Sequence, residues 1–201
     1  MRPHDLLRLK DGARLARADL SEWAIRSLRQ TPFVVVRRSA IRDDLIPVGI
    51  RGAMRDQRQA AFLHADDIES IITPESLAIA RSWKSPRCRE HAAFVALDRI
   101  AAAADDIDLN WGPGGSAGFE LATGTHALTA SSDVDIVVYP DDRHTRDALT
   151  SFRDAVSDAN IRVDILIETT LGAAALDEWI ASPQHVLIKM CDGPRLGEFS
   201  W

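Results

Sequence analysis

Residues 111–138 read WGPGGSAGFELATGTHALTASSDVDIVV, and this stretch decides the fold. It ends in an apolar, β-branched run, Ile136-Val137-Val138, that reads as a buried strand. The run is preceded by two carboxylates, Asp133 and Asp135. Side chains two apart on a strand share a face, so these two project side by side, roughly 6–7 Å apart at Cα. Bare carboxylates at that spacing repel. A hard divalent cation between them removes the conflict, because Mg²⁺ accepts carboxylate oxygens and leaves room for phosphate ligands. Upstream, Gly114-Gly115-Ser116 follows a short strand around Leu109-Asn110-Trp111 and opens a helix. Backbone N–H groups of such a turn bind phosphate, and the Ser116 hydroxyl adds a donor. Taken singly, a DxD pair or a Gly-Gly-Ser turn is more often a strand mouth or a plain turn.

Outward from this stretch the chain alternates strands and helices. Residues 21–30 read as a helix with Leu20, Ala24 and Leu28 on one side, ended by Thr31-Pro32. Phe33–Val36 reads as a strand stopped by Arg37-Arg38, and Leu45–Ile50 as a second apolar run. Residues 53–63 read as helical. Thr73-Pro74-Glu75 has the chemistry of a helix start. A further helix is expected from Ser85-Pro86, with Ala93, Leu97, Ile100 and Ala104 at helical spacing. Residues 141–159 suit an amphipathic helix with Ala148, Phe152 and Ala155 inward. Ile161–Ile167 alternates as a strand, with Arg162, Asp164 and Leu166 opposite its isoleucines. Leu176–Ile180 reads as helix, His185–Met190 as strand, and the tail DGPRLGEFSW as turn-rich.

The fold expected is therefore α/β (α+β). A mixed sheet flanked by helices fills residues 86–201, and a smaller basic α/β domain fills residues 1–85. Charge divides the same way. Residues 1–100 carry 18 Lys+Arg against 13 Asp+Glu, a net of +5, and residues 101–201 carry 6 against 17, a net of −11. The basic half suits anionic groups and the acidic half suits cations. No apolar stretch approaches the ~20 residues of a membrane span, and the N-terminus lacks the apolar segment of a signal peptide. Cys88 and Cys191 form no CxxC, and the six histidines are scattered. A cytoplasmic protein is expected, with no membrane or nucleic-acid partner.

Asp164 supplies a third carboxylate, mid-strand, where a charge needs a metal or a partner. Arg162, two residues away on the same face, is the plain partner. In the basic half Arg51, Arg55 and Arg58 fall at i, i+4 and i+7, one stripe if residues 51–63 are helical. Guanidinium forks suit phosphates or an acidic protein surface; paired with Asp56, the same stripe is a solvated face. Arg37 and Arg38 close a strand and rank lower. Glu120 is read as capping the loop backbone, His126 as a loop histidine, and Trp111, Phe119, Trp179 and Trp201 as packing residues.

Gly115-Ser116, then Asp133-x-Asp135, then Asp164 resembles the nucleotidyltransferase superfamily of polymerase-β type. That resemblance implies a Gly-Ser turn holding a triphosphate and three aspartates binding two Mg²⁺, with Mn²⁺ as an alternative. Sixteen residues separate Ser116 from Asp133, a longer gap than is usual there. A closer resemblance spans nearly the whole chain. VVVRR, LIPVGIRGAMRDQRQAAFL, TPESLA, WGPGGSAGFELATGTHALTASSDVDIVV, RVDILIE, ALDEW and GPRLGEFSW, in that order, resemble the malonate decarboxylase holo-acyl-carrier-protein synthases, the phosphoribosyl-dephospho-CoA transferases.

This second resemblance implies transfer of 2'-(5''-phosphoribosyl)-3'-dephospho-CoA from its triphosphate precursor to a serine of the apo acyl-carrier protein subunit of malonate decarboxylase. It assigns Asp133, Asp135 and Asp164 to metal and catalysis. Gly114, Gly115 and Ser116 would bind phosphate, with Arg51, Arg55 and Arg58 as further phosphate ligands. Two alternatives stand beside it: the same chemistry on the citrate lyase carrier, and a non-catalytic nucleotide- or carrier-binding module.

Overall fold

A computed structural model describes residues 1–16, 19–40, 44–54, 56–85, 88, 91–157 and 159–201. In chain order the elements are β1 (Leu6–Leu9), β2 (Leu15–Ala16), α1 (Glu22–Gln30), β3 (Phe33–Val36), β4 (Ile46–Arg51), β5 (Arg58–Leu63), β6 (Ile68–Ile72) and α2 (Pro74–Ala80). There follow α3 (Ala92–Asp105), β7 (Asn110–Pro113), α4 (Gly115–Thr123), β8 (Val134–Tyr139), α5 (Arg146–Ser157), β9 (Val163–Glu168), β10 (Ala173–Ala175), α6 (Leu176–Ala181), β11 (Val186–Met190) and β12 (Gly193–Gly197). The mixed α/β (α+β) class expected from the sequence is what the chain adopts.

Two six-stranded sheets carry the fold. The first runs β2-β5-β4-β3-β1-β6 and is antiparallel throughout. Period-2 alternation divides its faces. Leu7, Leu9, Val34, Val36, Ile46, Val48, Ile50, Ala61 and Leu63 form one core with Ala24 of α1. The opposite face therefore carries Val35 and Arg37, Gly49 and Arg51, Arg58 and Ala60. The second sheet runs β12-β11-β10-β9-β8-β7, and only β8 and β9 pair in parallel, joined through α5 as parallel strands require. One face of this sheet buries Trp111, Ile136, Val138, Ile167, Ala174 and Val186 against α3, α5 and α6.

Several sequence expectations hold in detail. Thr73 caps α2, its hydroxyl oxygen accepting the Ser76 N–H at 3.1 Å. Ala93, Leu97, Ile100 and Ala104 are all buried on α3. Trp179 and Trp201 pack together with ring centroids 4.8 Å apart.

Others are corrected. The described residues of the stretch 53–63 are not helical. β4 and β5 form a hairpin in which Ile46, Val48 and Ile50 face Leu63, Ala61 and Gln59, so a period of two wins over the period of 3.6 that the arginines suggested. The helix after Ser85 begins only at Ala92, where the His91 ring accepts the Ala93 N–H at 3.1 Å; Pro86 lies outside the described residues. On α5 the buried residues are Leu149, Phe152 and Val156, and Ala155 is exposed. Most of the tail is a strand, β12, paired with β11 across the turn Cys191-Asp192, and its first residue, Gly193, takes φ +129°.

Where the two sheets meet, α2 packs across β7. The contact is closest at Gly112, where a Cβ would collide with the Pro74 carbonyl. Farther along, Arg38, which follows β3, bonds the buried Glu168 at the end of β9.

Candidate active site

The central stretch folds as strand, turn, helix, loop and strand. β7 ends at Pro113, and the Gly114 N–H donates to the Asp135 carbonyl at 2.8 Å. That bond sets the mouth of β7 beside the mouth of β8. Gly115 then takes φ +52°, a left-handed conformation that favours glycine. A Cβ here would also strike the Asp135 carboxylate. Gly115 is thus required twice, by its backbone and by its neighbour. The chain next enters α4, a helix of nine residues. Its first-turn N–H groups have no intrahelical partner and carry the positive end of the helix dipole.

The long gap between Ser116 and Asp133 is taken up by α4 and a tethered loop. Glu120 is the tether. Its carboxylate accepts the Ala127 and Leu128 N–H groups at 2.8 and 3.0 Å, and its other oxygen meets the His126 ring at 3.2 Å. The capping role read for Glu120 is what the structure shows, and His126 is a loop residue, 96% exposed at its side chain. The loop closes on itself between Thr129 and Ser132 through two bonds of 2.9 Å. Despite the spacing, Ser116 and Asp133 line the same cleft.

That cleft has a volume of about 470 Å³. Asp133 and Asp135 line one side, and Gly115 and Ser116 one end. Arg51 and Arg58 come from the first sheet, and Thr129, Ser131 and Ser132 from the loop. Arg51 and Arg58 are direct cross-strand partners. Like charges so placed repel. Arg51 donates to the Ser116 hydroxyl at 2.6 Å and to the Ala127 carbonyl at 3.1 Å. Its guanidinium also lies 5.4 Å from the centre of the Phe119 ring. Burial, and then the charge of Arg58, pull the Arg51 pKa down to about 10, against the opposing pull of Asp135 and Glu120. A cation under such strain favours an arriving anion. Arg55 lies outside the described residues. The arginine stripe proposed on a helix is therefore, for Arg51 and Arg58, the rung of a hairpin.

Asp164 stands directly opposite Asp135, as its register partner on the parallel strand β9. Adjacent strands lie about 4.8 Å apart, so the two side chains share one face. Asp164 is turned toward Arg162, its Oδ1 2.8 Å from Nε, with the aspartate side chain 40% exposed. Among the described residues, no three His, Cys, Asp or Glu side chains gather as a ready-made metal centre. The oxygen-only donor set still suits Mg²⁺, which is held by one or two carboxylates with substrate phosphates completing its shell. Asp133 and Asp135 fit that pattern, and Asp164 would join it by leaving Arg162.

Sequence reasoning ranked Arg37 low and missed His4, and both stand beside this cleft. A neighbouring cavity of about 450 Å³ shares Arg51, Arg58 and Gly115, and it adds His4 and Arg37. The signal for Arg37 was present: with Val34 and Val36 buried, alternation sends Val35 and Arg37 to the other face. His4 had no sequence signal.

Comparison with known proteins completes the picture. Residues 77–199 match the family model described as phosphoribosyl-dephospho-CoA transferase MdcG C-terminal domain, and residues 2–74 match that of the MdcG N-terminal domain. Among curated relatives, a phosphoribosyl-dephospho-CoA transferase of Pseudomonas fluorescens is 38% identical over 92% of this chain and 87% of its own length. One from Pseudomonas putida is 36% identical over 100% and 95%, and one from Klebsiella pneumoniae is 34% identical over 100% and 96%. No solved structure matches. With both halves matched and relatives aligned end to end, the chain belongs to the phosphoribosyl-dephospho-CoA transferase family.

Proposed function

We propose that this chain transfers 2'-(5''-phosphoribosyl)-3'-dephospho-CoA from its triphosphate precursor to a serine of the apo acyl-carrier subunit of malonate decarboxylase. The serine oxygen attacks the phosphorus nearest the ribose. A phosphodiester bond forms, the bond to diphosphate breaks, and the serine proton passes to a base in the cleft. The observation that carries this reading is a single cleft holding two kinds of group: Gly115, Ser116, Arg51 and Arg58 for phosphates, and Asp133 and Asp135 for cations. The family membership supports the same donor.

Transfer of this kind depends on positioning and on neutralising charge. Gly115, Ser116 and the start of α4 would cradle the two leaving phosphates. Arg51 and Arg58 would balance the charge that builds on them. Asp133 and Asp135 would hold Mg²⁺, or Mn²⁺ in its place, with Asp164 as a further ligand and as acceptor of the serine proton. When bound, the metal supplies positive charge at the leaving diphosphate and acidity at the attacking hydroxyl. The reaction is proposed for the cytoplasm. No helix among the described residues is long and apolar enough to cross a membrane, and both cysteines are free thiols.

The test is the mass of purified apo carrier after incubation with the triphosphate donor, Mg²⁺ and this protein. Addition of the prosthetic group is expected, and Asp135→Asn should abolish it while leaving the melting curve intact. No added mass under Mg²⁺ or Mn²⁺ defeats the reading and returns the chain to a binding module. Faster modification of the citrate lyase carrier keeps the chemistry and overturns the acceptor.

A further inference from the structure

The cleft does not end at the phosphates. Beyond Arg51 and Arg58 it opens into the cavity holding His4 and Arg37. Through those same two residues it continues into a trough of about 650 Å³ between the two sheets. Val36, Leu166, Leu187, Met190 and Pro194 line that trough, with Lys189 and Cys191 at its edge.

The sheet geometry makes the passage continuous. Leu166 follows Asp164 by two residues on β9, so it lies on the same face roughly 7 Å farther along. Glu168 follows again and ends the row, bonded to Arg38. On the opposing sheet Gly49 lacks a side chain, and the stem of Arg37 lies across that position. Arg37 therefore borders both cavities. Arg38 is committed to Glu168, whereas neither Arg37 nor Lys189 makes an ion pair among the described residues.

We propose that this passage binds the dephospho-CoA end of the donor. Arg37 would hold its diphosphate, and the apolar trough would hold the pantetheine arm, with the thiol end toward Cys191. The inference rests on the transfer reading for its ligand. The ligand chemistry fits in order: triphosphate at α4, a second pair of phosphates at Arg37 beside the strand that carries Arg51, then an uncharged flexible chain over apolar side chains. A guanidinium without a carboxylate suits a diphosphate, and the largely apolar lining suits the arm.

The test reads binding, not turnover. Calorimetry on the full chain compares 3'-dephospho-CoA with ADP, which lacks the pantetheine arm. Dephospho-CoA should bind about tenfold more tightly, the worth of roughly 1.4 kcal/mol. Leu187→Asp should erase that difference and leave ADP unchanged, and Arg37→Gln should weaken both. Leu187 is 44% exposed, so its substitution spares the core; Met190→Ser is the second variant, and melting curves accompany both. In wild-type protein, S-methyl-dephospho-CoA should slow alkylation of Cys191 severalfold and leave Cys88 unchanged.

Equal affinities for the two ligands overturn the proposal, as does an unprotected Cys191. So does a Leu187→Asp protein that loses carrier affinity while keeping the dephospho-CoA preference, because the trough would then belong to the acceptor. The two readings fail separately. An inert protein with tight dephospho-CoA binding sinks the transfer reading alone. An active one that binds both ligands equally sinks the passage alone.

Discussion

Gly115→Ala is the sharpest test of how the cleft is built. At φ +52° an alanine carries the left-handed penalty of about 1–2 kcal/mol. The narrower unfolded ensemble of alanine returns about 0.4–1 kcal/mol. The added methyl must also displace the Asp135 carboxylate, which it would otherwise overlap. Driving that side chain off its rotamer costs about 0.5–1.5 kcal/mol. The sum is a loss of about 0.5–3 kcal/mol, centred near 2, a melting shift of several degrees for a chain of this size. Activity should fall further than stability suggests, because an ångström of displacement at a reacting group costs on the order of 10²-fold. Urea unfolding gives the first number and carrier mass against time gives the second. The cycle is completed in Asp135→Ala, where no carboxylate remains to be struck. There the cost of alanine at 115 should drop to the backbone part and a tight contact with the remaining Cβ, 3.0 Å away. A fully additive cycle, or a Gly115→Ala protein with normal turnover, refutes the claim that Gly115 exists to admit Asp135.

Three further outcomes follow from the geometry. Burial and the charge of Arg58 pull the Arg51 pKa down to about 10, and a bound anion would raise it. Tripolyphosphate affinity should therefore hold steady below that pH and fall by up to about tenfold per pH unit above it; calorimetry of wild type against Arg51→Gln isolates this residue, and parallel curves would exclude it. Glu120→Ala leaves two loop N–H groups without their acceptor and should lower stability by about 2–3 kcal/mol, read by urea midpoint, with a rise in KM for the donor. Arg38→Met leaves the buried Glu168 carboxylate with only the His4 ring, 3.6 Å away, and should cost about 3 kcal/mol. An unchanged midpoint in either variant rejects the corresponding contact.

The C-terminal half was the more legible in the sequence, for a physical reason. Its strands are buried on one face and its helices are long, so Ile136–Val138, Ile161–Ile167 and Ala93–Ala104 carry strong periodicity. The N-terminal sheet is harder to read. Leu6–Leu9 is four residues long and Leu15–Ala16 only two, too short for any period to show. Arg51 and Arg58 sit seven residues apart because a hairpin brings them face to face, and that spacing imitates two turns of helix. The Asp192-Gly193 step, where the Cys191-Asp192 turn enters β12, was a hairpin signal, hidden by Pro194 and Gly197 in the strand that follows.

The candidate site was legible where one stretch orders it, as with Asp133 and Asp135 at the mouth of β8. Its wider composition was not, because Arg51 reaches Ser116 across 65 positions of sequence and His4 has no local pattern at all. Only the folded sheets supply those neighbours.

The contact at Gly112 bears on all of this from a distance. It lies three residues before Gly115 and lines no part of the cleft, yet it is where the Pro74 carbonyl rests directly on β7. Glycine there acts as a missing spacer. Any side chain would wedge α2 outward, and the first sheet would move with it. The carboxylates and the arginines would then face each other across a wider gap, each intact on its own strand. The cleft's bore is thus calibrated by the one atom that position 112 omits.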